Sequence, residues 1–168
     1  INSNLKKDEF DSIKILVLGG SQAAKIFAEK LPEIFKKIKD EGVSITIIQQ
    51  CQSGQIEKLS EFYNKVKIEH ELFNFTNEIL EYYSKVNLVI TRSGASVLGE
   101  LINTRTPFIA IPLPTSADNH QYKNAKYYEK RGFGYLIEEK NISSKLYDLL
   151  RLIIKDKTKN RKIISFQS

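Results

Sequence analysis

Residues 90–125 read ITRSGASVLGELINTRTPFIAIPLPTSADNHQYKNA. An apolar run ends in Thr91-Arg92, the small residues Ser93-Gly94-Ala95-Ser96 turn the chain, and a helical pattern carrying Glu100 begins. A second apolar run, 107–112, leads through a polar loop to another helical start around Asp118-Asn119-His120-Gln121. Two strands, each followed at once by a helix, imply parallel pairing with both helix N-termini at the same end of a sheet. Unpaired backbone N–H groups and the helix dipole favour an anion there.

Working outward, residues 13–18 (IKILVL) are apolar at five of six positions, the pattern of a strand covered on both faces. They run into Gly19-Gly20-Ser21-Gln22-Ala23-Ala24 and a helical pattern with Ile26, Phe27, Leu31, Ile34, Phe35 and Ile38, which Pro32 is expected to kink or split. Next come a strand at 43–48, an amphipathic helix at 56–66, a short strand near 66–68 leading into 70–75, and a short helix at 77–83. The series continues with a strand at 86–90, a helix at 95–103, a strand at 108–111, a helix at 119–130, a strand at 134–137 and a helix at 143–154. Ser143 and Ser144 are expected to cap that last helix. About six strands alternating with helices, without internal repeats, predict an α/β fold: a doubly wound parallel sheet of Rossmann-like type. The domain is expected over 13–154, with 1–12 a linker or the end of an upstream segment and 155–168 a basic helix or tail.

With 41% hydrophobic and 27% charged residues, the chain reads as a globular domain. No apolar run approaches the ~20 residues that span a bilayer. The single cysteine, Cys51, allows no internal disulfide and suits a reducing compartment. Residues 1–85 carry 12 Lys and Arg against 13 Asp and Glu, whereas residues 86–168 carry 14 against 7. That skew suits a phosphate-bearing ligand or an anionic membrane surface, and equally a solvated lysine-rich face. A chain that starts at Ile1 and contains no methionine is expected to be part of a longer protein.

Gly19-Gly20-Ser21 after a strand can cradle a phosphate, although the same residues also make an ordinary tight turn. The spaced glycines of a dinucleotide fingerprint and the Gly-Lys-Ser/Thr of a P-loop are both missing, which argues against nicotinamide and ATPase chemistry. Ser93-Gly94-Ala95-Ser96 is a second open turn. Glu100, about one and a half helical turns on, could accept both hydroxyls of a ribose or simply be solvated. The loop 112–121 offers Asp118, Asn119, His120 and Gln121 to a ligand with several hydroxyls. His120 could also act as a base or a cap. One Cys, two distant His and no Asp-x-Asp give no metal-site pattern, and no Ser/His/Asp order suggests a hydrolase.

Taken in order and spacing, three motifs resemble one family: Gly19-Gly20-Ser21-Gln22-x-Ala24; Thr91-Arg92-Ser93-Gly94-Ala95-Ser96 with Glu100; and Ile111-Pro112-x-Pro114 followed by Asp118-x-His120-Gln121-x-x-Asn124-Ala125. This is the C-terminal domain of the MurG family, bacterial N-acetylglucosaminyltransferases that make lipid II in peptidoglycan synthesis. The resemblance covers about 13–154.

It implies the donor-binding half of a two-domain GT-B enzyme, an inverting transferase that uses UDP-N-acetylglucosamine and no cofactor. Gly20 and Ser21 would face the diphosphate or sugar, and Thr76 would bind uracil through its backbone. Gly94, Ala95, Ser96 and Val97 would meet the diphosphate, Glu100 the ribose, and His120 and Gln121 the N-acetylglucosamine. No catalytic residue is expected in this domain. The base, the lipid I acceptor site and the main membrane-docking patch would belong to an upstream domain, at the cytoplasmic face of the inner membrane, with no nucleic-acid partner. This stretch alone would transfer no sugar.

Four departures from the family pattern stand out. Ala23 replaces a glycine and is expected to add a methyl where the backbone approaches the ligand. Val97 replaces a threonine, Gln49-Gln50-Cys51-Gln52 stands where His-Gln-Thr-Gly is usual, and Thr76 replaces an isoleucine. A stand-alone donor subunit serving another lipid acceptor, or an inactive remnant, are the alternative readings.

Overall fold

The computed structural model describes residues 12–155, apart from the side chain of Ser21. Of the expected flanks 1–12 and 155–168, residues 1–11 and 156–168, most of the basic tail among them, lie outside the described residues. Strand β1 (Ser12–Leu18) is the centre of the fold. Because side chains alternate along a strand, Ile13, Ile15 and Val17 point into one apolar cluster and Leu16 and Leu18 into the other. Both faces therefore need helical cover, and β1 must be an inner strand.

Helices α1 (Ser21–Asp40), α2 (Ile56–Lys65) and α6 (Ile142–Lys155) supply one cover, through residues such as Phe27, Phe35, Tyr63, Leu146 and Leu150. Helices α3 (Ile79–Lys85), α4 (Ala95–Asn103) and α5 (His120–Lys130) supply the other, through Tyr83, Leu98, Leu101 and Ala125. The remaining strands are β2 (Ser44–Gln50), β3 (Glu69–Phe73), β4 (Leu88–Thr91), β5 (Phe108–Ala110) and β6 (Tyr135–Leu136). All pairings are parallel and the order is β3-β2-β1-β4-β5-β6. This is the doubly wound Rossmann arrangement, with its switch point between β1 and β4.

Three local expectations are corrected. Pro32 does not split α1, which is a single helix. An interior proline costs about 3 kcal/mol, but Phe27, Leu31, Phe35 and Ile38 are fully buried on that helix, and each such side chain contributes about 2 kcal/mol. The third strand is one segment beginning at Glu69, because Lys67 adopts a left-handed φ of 59° and turns the chain before pairing starts. The last helix begins at Ile142, so Ser143 and Ser144 sit inside its first turn; the Ser144 hydroxyl donates to the Asn141 carbonyl at 3.3 Å.

At the far end, α6 is tied to the end of α1: the Tyr147 hydroxyl donates to Glu41 at 2.7 Å and Arg151 pairs with the same carboxylate at 3.1 Å. Among the described residues no helix is long and apolar enough to cross a membrane.

Candidate functional site

At the switch point the chain leaves β1 toward one face and β4 toward the other, so the strand ends diverge and leave a cleft. Its volume is about 410 Å³. Gly19 and Gly20 line it on the β1 side, Arg92, Gly94, Val97 and Glu100 on the β4 side, and Phe75 and Thr76 beyond the end of β3.

The two helices that start here are left open. Gly20 caps α1 and Gly94 caps α4; neither helix has a side-chain cap hydrogen bond or an acidic residue in its first turn. Ser, Thr, Asp or Asn commonly occupy these N–H groups; α2, α3 and α5 lack a side-chain cap as well, and what marks α1 and α4 is a glycine at the N-cap. Neither glycine is required by the backbone, since φ is −63° at Gly20 and −62° at Gly94. Neither is required by neighbouring atoms, since a Cβ at either position would find nothing within 4 Å. The space they keep clear lies outside the protein. In α4 the first intrahelical bond runs from Leu98 N–H to the Gly94 carbonyl, so the N–H groups of Ala95, Ser96 and Val97 precede the ladder. Ala95 and Ser96 are exposed and Val97 is half-buried against the second core cluster.

Gly19 is the opposite case. A methyl there would run into the Cβ of Ala23, which is 3% exposed and belongs to the core. The expectation that Ala23 crowds the ligand side of the loop is thus corrected: its methyl packs beneath the turn, and Gly19 makes the room.

Glu100 is half-buried and accepts a hydrogen bond from the Tyr83 hydroxyl at 3.1 Å. Burial, and then the Glu100 carboxylate beside it, push the Tyr83 hydroxyl well above the usual tyrosine range, so it stays a donor. That donor holds one carboxylate oxygen and leaves the other for a ligand. Phe75, 75% exposed, offers a bare aromatic face at the cleft edge. The Thr76 hydroxyl accepts the Glu78 N–H at 3.0 Å, steadying that turn.

The loop before α5 holds Asp118 and Asn119 at left-handed φ values of 51° and 56°, which short polar side chains tolerate best. His120 and Gln121, expected to act together, are placed differently. His120 is exposed, its Nδ1–H donates to the Ala117 carbonyl at 2.8 Å, and it is not among the residues lining the cleft. Gln121 lines the cleft. Its Oε1 accepts the N–H of Leu113 at 2.9 Å and of Ser93 at 3.3 Å, and its carbonyl accepts the Ser93 hydroxyl at 2.8 Å. With the oxygen committed, Nε2 is the group Gln121 can offer to a ligand.

Sequence reading missed the supports. Arg92 is 9% exposed, donates from Nη1 to the carbonyls of Ile111 at 3.3 Å and Pro112 at 3.2 Å, and pairs with Glu139 at 3.0 Å. Its guanidinium also lies 5.2 Å from the centre of the Phe27 ring. A charge directly after a buried strand was the available signal. Tyr83 gave none beyond its place on an apolar helix face.

Comparison with known proteins decides the family. Residues 14–166 match the glycosyltransferase family 28 C-terminal domain. The chain belongs to glycosyltransferase family 28. Two relatives are named UDP-N-acetylglucosamine--N-acetylmuramyl-(pentapeptide) pyrophosphoryl-undecaprenol N-acetylglucosamine transferase. The one from Pelagibacter ubique is 42% identical over 135 residues, 80% of this chain and 38% of the relative. The one from Rickettsia prowazekii is 39% identical over 167 residues, 92% of this chain and 43% of the relative. This family 28 domain thus spans less than half the length of either. A crystal structure of MurG from Acinetobacter baumannii superposes with a TM-score of 0.81 at 24% identity, over 93% of this chain and 47% of that one. That likeness shows the fold, which is the GT-B type expected.

Proposed function

We propose that the cleft is the donor cradle of an inverting N-acetylglucosaminyltransferase and holds UDP-N-acetylglucosamine. The observation that carries this reading is the pair of uncapped helices with unforced glycines at the switch point. A diphosphate seated between them would meet N–H groups of both, and the cost of arranging those dipoles is met on folding rather than at the moment of reaction. Glu100 would accept the ribose hydroxyls, the Phe75 face would cover the uracil beside the Thr76 backbone, and the Nε2 of Gln121 would meet the sugar. Gly20 and Ser21 complete the expected set on the α1 side, and His120, outside the cleft lining, is given no ligand contact.

In the transfer, the 4-hydroxyl of a lipid-linked N-acetylmuramoyl acceptor would attack C1 of the sugar as the bond from C1 to the diphosphate oxygen breaks. The electron pair passes to the diphosphate, where the helix N-termini stabilise it, and the hydroxyl proton passes to a base on another domain. The names of the relatives, which include a pyrophosphoryl-undecaprenol acceptor, support lipid I as the acceptor; a role at the cytoplasmic membrane surface is part of the same proposal. The domain boundaries proposed are 13–154 for the cradle, with 1–12 and 155–168 as flanks.

Titration calorimetry with UDP-N-acetylglucosamine and UDP tests the reading. Both should bind at one site per chain. Glu100→Gln keeps an acceptor for Tyr83 but removes the charge from the ribose contact, and should weaken both ligands about tenfold or more. Absence of binding by the unaltered chain would overturn the proposal.

A further inference from the structure

Gln50 is the last residue of β2, half-buried, and lines the cleft. Its Oε1 accepts the Gly19 N–H at 2.9 Å and its Nε2 donates to the Asn74 carbonyl at 3.1 Å. Both partners lie where the backbone ladders stop: β1 and β2 pair as far as Val17 opposite Gln49, and β2 and β3 as far as Gln50 opposite Phe73. One side-chain amide thus adds a further rung on each side of β2. Its orientation follows from its neighbours, because an N–H requires an acceptor on one side and a carbonyl requires a donor on the other.

The far side is itself braced. The Cys51 N–H donates to the Phe73 carbonyl at 2.9 Å and the Asn74 Nδ2 donates to the Cys51 carbonyl at 3.2 Å. Gly19 leads directly into the open end of α1, and Asn74 directly into Phe75 and Thr76. Those are the two turns that the proposed cradle assigns to diphosphate and base.

We infer that Gln50 is a positioning residue that sets the separation of the phosphate-facing and base-facing turns, so that the cleft favours ligands carrying both groups at the span of a nucleoside diphosphate. This inference rests on the donor-cradle reading. Only an amide of this length performs both tasks. Glutamate keeps the acceptor for Gly19 but turns a second acceptor toward the Asn74 carbonyl, and leucine loses both contacts.

The test uses the ¹⁵N-labelled chain, with UDP, uridine and pyrophosphate as separate probes in NMR titrations. Gln50→Leu and Gln50→Glu should each weaken UDP about tenfold while changing uridine and pyrophosphate less than about threefold, because each fragment touches one turn only. Unchanged UDP affinity in a folded Gln50→Leu chain would overturn the inference, as would an equal loss for all three probes.

Ligand-free amide exchange separates this result from failure of the cradle itself. Gly19 N–H should exchange about tenfold faster in Gln50→Leu, and near the unaltered rate in Gln50→Glu. If the unaltered chain binds none of the probes, the donor-cradle reading fails, and with it the ligand role given to Gln50. Unchanged Gly19 exchange in Gln50→Leu overturns the clamp whatever the ligands do.

Discussion

Gly94→Asp is expected to make the domain more stable and to remove its hold on a diphosphate. The N-cap backbone at Gly94 has φ −62° and ψ 145°, the extended geometry an aspartate cap adopts, and open space surrounds the position a Cβ would take. The new carboxylate would accept the N–H groups at the start of α4 and complement the helix dipole, adding a few tenths to about 1 kcal/mol of stability. The same carboxylate would occupy the donors that the diphosphate needs and oppose its charge inside a cleft. A loss of about a hundredfold in UDP affinity is expected. Urea denaturation and calorimetry on one preparation read the two effects. Opposite signs support the cradle, because damage to the fold would lower both quantities. Retained UDP affinity would show that the ligand does not sit on α4.

Arg92→Leu is expected to cost about 3–5 kcal/mol of stability, the scale for breaking a largely buried ion pair by removing one partner. Side-chain exposures of 10% for Arg92 and 17% for Glu139 place the pair in that regime rather than among surface salt bridges. Leucine would strand the Glu139 carboxylate and leave the carbonyls of Ile111 and Pro112 without their guanidinium donor. Adding Glu139→Gln should recover about 1–2 kcal/mol, since a neutral amide is less costly to leave unpaired than a carboxylate. A single substitution costing under about 1 kcal/mol would show that Arg92 does not tie the ends of β4 and β5 to the turn before α6.

The fold was legible because its signals are local. Apolar runs of strand length, small-residue turns and helical spacing suffice to recognise βαβ units, and α4 is found over the residues expected, Ala95–Asn103. The three local misses have physical causes. Packing outweighed the proline in α1, a left-handed residue that is not glycine delayed β3, and Ser143 and Ser144 fell within the first turn of α6 rather than before it.

The site was legible as motifs but not as geometry. Gly20, Gly94, Val97, Glu100 and Gln121 meet in one cleft, and Thr76 joins them from beyond β3. Sequence could not show which glycine serves the ligand and which serves the core, because that depends on where the neighbouring Cβ atoms fall. It could not separate His120 from its neighbour Gln121, because a left-handed pair immediately before them sets their directions. The supporting contacts of Gln50, Tyr83 and Arg92 join residues brought together only by the sheet. No spacing along the chain announces them.

A UDP-sugar seated across the open ends of α1 and α4 is read out by amide hydrogen exchange with and without UDP-N-acetylglucosamine. Exchange should slow in two separate segments, 19–24 and 94–100, with smaller changes at 74–78. Unchanged exchange at both turns, or protection confined to the groove between α1 and α2 near Pro32 and Phe62, would contradict this seating.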